Sequence, residues 1–309
     1  MRFTFVILLF CGLGADAQMI IKAHPNYVPF AAGVIPPLDT YSGAAAAYSL
    51  RKLRTAYTGS AIRVRRSNDN SEQDIGFTSS GDLDTASLKT FVGANSGFIT
   101  TWYDQSSSNN LTQTTATRQA RIINAGVIDR QSGRPVVFFD GNDNLFTSAD
   151  ITHTNYSVFS AVYFRTTITA ANTAGILYRS EGVSNILTFG GNVTASFTNE
   201  RIVLYNAESG VKGFAYTGAD IAVGSYVYSI LYTYINTLSI YQNATNLTLQ
   251  NIAFTAANYP KSFRNLGGGT TTTNGNYASN VFEFILYTSD QSSNRSGIET
   301  NINSYYGIY

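Results

Sequence analysis

Charge is the scarcest commodity in this chain. Among 309 residues, Lys and Arg number 20 and Asp and Glu 19, so charged residues make up 13% and the formal net charge is +1. An average soluble domain carries about 25%. A nucleic-acid binder that works through phosphate contacts needs a basic excess, and none is present. One Cys and two His exclude a zinc enzyme or zinc finger, so neither a metal nor a cofactor is expected. With only two Met and one Trp, the core must be built from Phe, Tyr, Ile, Leu, Val and Ala. Those are plentiful: 21 Tyr and 19 Phe raise the aromatic fraction to 13%. A disordered chain shows the reverse, few aromatics and a high net charge.

The first residues carry the marks of an export signal. Arg2 supplies the positive start, Phe3 to Leu13 an apolar run, and Ala15-Asp16-Ala17 a small-x-small cleavage pattern, so residues 1–17 are expected to be removed and the mature chain to begin at Gln18. The run is too short to anchor the chain across a bilayer, and no second run approaches that length. Cys11 lies inside this segment, with Phe10 before it where a lipidation signal wants a small residue. Cleavage would therefore leave a secreted or cell-surface protein without cysteine or disulfide, held together by core burial alone.

Residues 18–37 read as an irregular lead-in ending at Pro36-Pro37. A first helix is expected after Ser42, because Ala44 to Ala47 are helix formers and Ala47, Leu50, Leu53 and Tyr57 recur at helical spacing before Gly59. Ala61 to Arg65 alternates, with Ile62 and Val64 on one face and Arg63 and Arg65 on the other, which predicts a half-buried strand with a solvated, ion-paired basic face. A second helix fits Asp84 as N-cap, Leu88 and Phe91 inward, and Gly93 as stop. Phe98 to Tyr103 reads as a strand. Further strands are expected at Val136 to Phe139, Ser157 to Arg165, Gly175 to Tyr178, Ile186 to Phe189, Ile202 to Tyr205, Tyr226 to Tyr234, Thr237 to Tyr241 and Val281 to Tyr287, with a hairpin turn at Ile235 to Thr237. A last helix follows Ser292 or Ser293, with Ile298, Ile302 and Tyr305 inward and Gly307 as C-cap. Many short strands and about three short helices predict an all-β, two-sheet antiparallel sandwich over one domain, residues 38–309.

Several motifs resemble a known family. Tyr41-Ser42-Gly43-Ala44 through Arg51, Ala61 through Asp69, and Thr100-Thr101-Trp102-Tyr103-Asp104-Gln105-Ser106 followed by Leu111-Thr112-Gln113 resemble the N-terminal part of the catalytic domain of α-L-arabinofuranosidase B, glycoside hydrolase family 54. The Tyr-Asp-Gln-Ser…Leu-Thr-Gln piece is the most specific, although its loop is one residue shorter than the family's. Phe138-Phe139-Asp140-Gly141 and Phe282 to Tyr287 resemble concanavalin A-like and laminin-G-like sandwiches generally. The resemblance implies a concanavalin A-like jelly roll and a glycan partner, possibly one containing arabinose.

It also implies site residues. The family's nucleophile is a Glu at a strand end, and Glu208 in Asn206-Ala207-Glu208-Ser209 stands in a comparable place. The family's acid/base is an Asp directly after a Gly-Gly pair; here Gly267-Gly268-Gly269 is followed by Thr270, so the acid/base is unassigned. Asn206, Gly268, Gly269 and Thr270 are the corresponding substrate-binding candidates. The family's vicinal cysteine pair has no counterpart. Retaining hydrolysis needs two carboxyl groups about 5 Å apart, and a hydroxyl does not replace a carboxylic acid as proton donor.

Other polar residues allow bland readings beside functional ones. Trp102, Tyr103, Asp104, Gln105 and Gln113 form the structural motif, with Asp104 expected to brace the 104–113 loop. Asp140 and Asp143 fit either an ordinary turn or a calcium-type oxygen cluster. Glu283 alternates with Phe282 and Phe284 and is expected to line a groove or face water. His153 lacks a nucleophile elbow, which argues against a Ser–His–Asp triad. The Gly267 to Gly269 run lacks the Lys and the strand–helix context of a phosphate loop. Six Asn-x-Ser/Thr sequons, at Asn110, Asn155, Asn192, Asn243, Asn246 and Asn294, are what a chain rich in Asn, Ser and Thr contains by composition. Three functions stay open: a glycan-binding domain, favoured by the missing acid and by tyrosine-rich edges suited to sugars; an active arabinofuranosidase using Glu208; and a structural module of an extracellular or virion assembly.

Overall fold

The computed structural model describes residues 34–167, 221–233, 237–249, 262–267 and 279–309 with their side chains, and the strand placement of 176–179, 188–190, 203–208 and 211–216. The expected signal segment lies outside the described residues.

Strand Ser279–Tyr287 is buried along its whole length. Its apolar run needs cover on both faces, and it has it. Val281, Phe284 and Leu286 face a core shared with Tyr48, Trp102 and Phe263. Phe282, Ile285 and Tyr287 face a second core closed by Ile298, Ile302, Tyr305 and Tyr306 of the C-terminal helix Arg295–Tyr306. On one side Ser279–Tyr287 pairs with Ala44–Ser49 and Val137–Phe138. On the other it pairs with Tyr156–Phe164, which continues the sheet to Gly224–Thr233 and Thr237–Gln242. All of these pairings are antiparallel, and Thr233 sits opposite Thr237, as the expected hairpin requires.

The second sheet runs from Glu72–Ile75 through Ile62–Arg66, Gly97–Trp102 and Leu111–Thr112 to Asn144–Thr152. It continues through Ser262–Gly267, Ile176–Arg179, Thr188–Gly190 and Val203–Glu208 to Val211–Tyr216. The short strand Arg121–Asn124 pairs with Gly97–Trp102 of this sheet and, through Arg121 opposite Phe138, with the first. The result is the all-β, two-sheet antiparallel sandwich that the strand spacing predicts, with three helices among the described residues.

One helix falls elsewhere. Ala44–Ser49 is a strand, not the expected helix. Ala46 and Tyr48 belong to the core between the sheets and Ala47 to the core under the C-terminal helix, an alternation of period two. Four alanines favour a helix by propensity, but the contribution is a fraction of a kcal/mol each. Pairing with residues 283–287 outweighs it, and methyl groups fit where the two layers approach closely. The first helix is instead the single turn Pro37–Thr40, with Pro at its start, where its missing N–H costs nothing.

Helix Thr85–Val92 follows its expected signals. The Asp84 carboxylate accepts from the Ser87 N–H at 2.9 Å, Leu88 and Val92 are buried, Phe91 is half-buried against the core, and Gly93 ends the helix at φ +62°. The C-terminal helix starts at Asn294, because Ser292 is engaged in a turn with Asp290. It ends, as expected, on a left-handed Gly307. Arg63 pairs with Glu72 and Asp74, and Arg66 with Asp69, so the basic run at 63–66 is a solvated, ion-paired strand face.

Candidate functional site

The most specific motif is built into the sandwich by hydrogen bonds. Trp102 is fully buried. The Tyr103 hydroxyl donates to Asp74 at 2.8 Å. Asp104 is buried and its carboxylate accepts five hydrogen bonds: from the N–H groups of Ala47 (2.9 Å), Ser106 (2.9 Å) and Asn109 (3.1 Å), and from the hydroxyls of Ser106 and Ser107. Gln105 accepts from Leu53 N–H at 2.7 Å and donates to the carbonyls of Ser49 and Arg51. Gln113 donates to the carbonyl and side chain of Asn144 and accepts from Thr115 N–H. The side-chain oxygens and nitrogens of Asp104, Gln105 and Gln113 each satisfy a neighbour that would otherwise be stranded, whereas the buried Trp102 Nε1–H has no hydrogen-bond partner. Five donors converging on Asp104 leave its oxygens no room for a substrate, so this cluster positions the 104–113 loop.

Glu283 is neither in a groove nor in water, contrary to both expectations. It is fully buried in a bidentate pair with Arg51, at 2.7 and 2.9 Å, and also accepts from Ser49 and Tyr306. The bulge opposite Ala161 and Val162 and the covering C-terminal helix turn that strand position inward. Burial alone would lower the Arg51 guanidinium's affinity for its proton; the Glu283 charge more than offsets this and holds it up.

His153 is buried with its ring 4.7 Å from Tyr156, and burial pulls its pKa down to about 4, so it is neutral at pH 7. Asp140 and Asp143 make turn contacts: Asp143 Oδ2 accepts from Asp140 N–H at 2.8 Å, and Asp140 Oδ1 from Asn142 N–H at 2.7 Å. Among the described residues no three His, Cys, Asp or Glu side chains gather as a metal group.

The residues implied by the family resemblance fall in the second sheet. Asn206 and Glu208 lie within strand Val203–Glu208, which runs three residues further than the expected end at Tyr205. Asn206 pairs with Gly213 and Glu208 with Val211. Gly268, Gly269 and Thr270 lie outside the described residues; Gly267, just before them, ends strand Ser262–Gly267 at φ +86°. A Cβ on Gly267 would sit 2.5 Å from the Asp143 carbonyl, so close approach and a positive φ both require glycine.

Register relates these positions. Leu266, Tyr178, Phe189 and Leu204 lie level across four adjacent strands. From that level Glu208 is four residues one way and Gly267 one residue the other. Five residue steps and three strand spacings come to about 22 Å in a flat sheet.

A different concavity opens where the sheets fork. It has a volume of about 390 Å³ and is lined by Phe98, Thr117, Arg121, Phe138, Asp140 and Asp143. Asp143 is 4% exposed, and its pKa is raised to about 7 by burial, with the neighbouring Asp140 carboxyl adding to the rise. Asp143 thus keeps its proton to a far higher pH than an ordinary carboxyl. Sequence reasoning placed Asp140 and Asp143 in a turn but missed Phe98, Arg121 and Phe138 as their neighbours. Those three sit on separate strands, and only their register brings them together.

Comparison with known proteins accords with this architecture. Residues 37–174 match the family described as alpha-L-arabinofuranosidase B, catalytic. No curated protein matches the chain. A GH54 α-L-arabinofuranosidase soaked with a cyclic sulfate inhibitor superimposes with a TM-score of 0.66 at 16% identity, covering 89% of this chain. An arabinofuranosidase complexed with arabinofuranosyl-α-1,2-xylobiose superimposes with a TM-score of 0.60 at 15% identity over the same share. This chain spans 65% of the length of each. At such identities the superpositions speak for the fold, and the segment match speaks for the lineage. Residues 37–174 thus belong to the alpha-L-arabinofuranosidase B catalytic-domain family, within a sandwich of the GH54 arabinofuranosidase fold.

Proposed function

We propose that the chain is an exported, arabinofuranosidase B-like domain that binds glycan without hydrolysing it through Glu208. The observation that carries this reading is the separation of Glu208 from Gly267. A retaining pair must bracket one glycosidic bond with its carboxyls about 5 Å apart. The register sets Glu208 about 22 Å from Gly267, in flat-sheet terms. The run that follows carries Thr270 where the family has its acid. Of the buried acidic residues, Asp104 and Glu283 are consumed in internal bonds. Glycan as partner follows from the family, one of whose solved relatives was complexed with arabinofuranosyl-α-1,2-xylobiose. A near-neutral chain rich in Asn, Ser and Thr suits such a partner better than it suits an ion.

The test pairs turnover with binding. The expected result is no release of nitrophenol from 4-nitrophenyl α-L-arabinofuranoside at high protein concentration, together with saturable binding to arabinose-containing oligosaccharides. Turnover that Glu208→Gln abolishes would establish the hydrolytic reading in its place. Absence of both turnover and binding would favour the assembly module.

A further inference from the structure

The cleft at the fork has features that the turn, the family motif and the fold leave unused. Strand Gly97–Trp102 goes on to pair with Leu111–Thr112, while Arg121–Asn124 crosses to Val137–Phe138. Between the diverging strands no backbone can fill the wedge, and side chains line it instead. Its floor is one row across four strands, with Arg65 opposite Phe98, Phe98 opposite Arg121, and Arg121 opposite Phe138. The rings are held in place by guanidinium groups: Arg65 lies 5.1 Å over Phe98, and Arg121 and Arg165 lie 4.2 and 3.9 Å over Phe138. Those arginines have their own partners. Arg121 makes a bidentate pair with Asp129 at 2.8 and 2.9 Å, and Arg65 donates to Gln119 at 2.6 Å and to Asn70 at 2.8 Å. The apolar floor is therefore rigid before anything binds, which lowers the ordering cost of binding.

One wall is the Asp140–Asp143 turn, in which Asp143 Oδ2 accepts from the Asp140 N–H at 2.8 Å and both carboxyl groups line the cleft. Asp140 is exposed, and Thr117 stands exposed in the segment opposite. The cleft thus offers a pair of carboxyl groups, a hydroxyl and ring edges, and the arginines of its floor already donate to Asp129, Gln119, Asn70 and the Phe139 carbonyl. An anion would meet the carboxyl pair, and a cation would meet the guanidinium row. A neutral polyhydroxylated ring meets neither penalty, and its adjacent hydroxyls match paired carboxyl oxygens. The volume lies within the range of small-ligand pockets.

We propose that this cleft is a saccharide subsite, with a sugar ring set against the edges of Phe98 and Phe138 and neighbouring hydroxyls bonded to Asp140 and Asp143. It rests on the glycan-binding reading above and names where the glycan sits. Calorimetric titration with arabinofuranosyl-α-1,2-xylobiose and with arabinotriose tests it. Ala116→Trp, on the exposed rim, would plug the cleft, and Asp140→Ala would remove one acceptor. Both are expected to weaken binding at least tenfold while the urea midpoint stays within error. Wild-type affinity in both variants would overturn the subsite and leave the glycan reading standing. No binding by the wild-type protein, even at millimolar sugar, would overturn that reading and the subsite with it.

Discussion

Replacing Asp143 by Asn should change the way stability depends on pH, with a sign fixed by burial. Asp143 titrates at about 7 in the folded protein, against an ordinary value of 3.8, chiefly because burial penalises its charge. Its neighbours are the Asp140 carboxyl, which raises it further, and the Arg121 guanidinium, which lowers it. Between these two values the folded chain holds a proton that the unfolded chain has released. The contribution to stability is therefore whole below pH 3.8 and is lost as pH rises through 7. His153 works in the opposite sense. Its pKa is pulled from 6.5 to about 4, so its contribution is whole above 6.5 and is lost as pH falls through 4. The two nearly offset each other in the wild type between about pH 4 and 6.5, which hides both. Asn has no proton to lose, and its amide oxygen can still accept the Asp140 N–H. Relative to wild type, Asp143→Asn should gain stability between pH 4 and 8, to a ceiling of about 4 kcal/mol at ~1.4 kcal/mol per pKa unit. Urea unfolding at each pH, with m held constant, reads the difference directly. A difference that stays flat across this range would mean that Asp143 ionises as an ordinary surface carboxyl, and the reasoning from burial would be wrong.

Three further substitutions follow from the same physics. Asp104→Ala strands three backbone N–H groups at once and should cost about 3 kcal/mol or more, read as a lower urea midpoint; Asp104→Asn should recover part of it. Glu283→Gln leaves Arg51 charged and buried without its partner, and a loss of about 3–5 kcal/mol is expected; a loss below about 1 kcal/mol would mean that water reaches Arg51. Gly267→Ala meets a positive φ and a carbonyl 2.5 Å from the new methyl, so thermal unfolding should show a loss of about 3 kcal/mol, whereas an unchanged melting temperature would mean that the Asp143 turn yields freely.

Much of this architecture is legible in the residues. The alternation in Ile62–Arg66 separates buried Ile62 and Val64 from ion-paired Arg63. Asp84 and Gly93 bracket a helix because capping is local chemistry, complete within a few residues. The strand Ala44–Ser49 is not legible in this way. Alanine fits either structure, and the partner that decides lies more than 230 residues away, as with Ser49 opposite Glu283. Glu283 misled for a related reason. Alternation tells that a residue leaves one face, not what waits on the other, and here a helix covers it and Arg51 neutralises it.

The sequence by itself determined the class of the protein. Low charge, abundant aromatics and short alternating runs admit a neutral, antiparallel sandwich, and the 100–113 motif marks its lineage. Period and capping are properties of neighbours along the chain, so they survive in one dimension. Tertiary structure decided which carboxylates are spent and which are available. Asp104 and Glu283 are saturated by donors from distant strands, while Asp143 is buried beside Asp140 at the edge of a cleft. A carboxylate's chemistry depends on its distance to other charges and to water, and strand register, which no local pattern encodes, sets both.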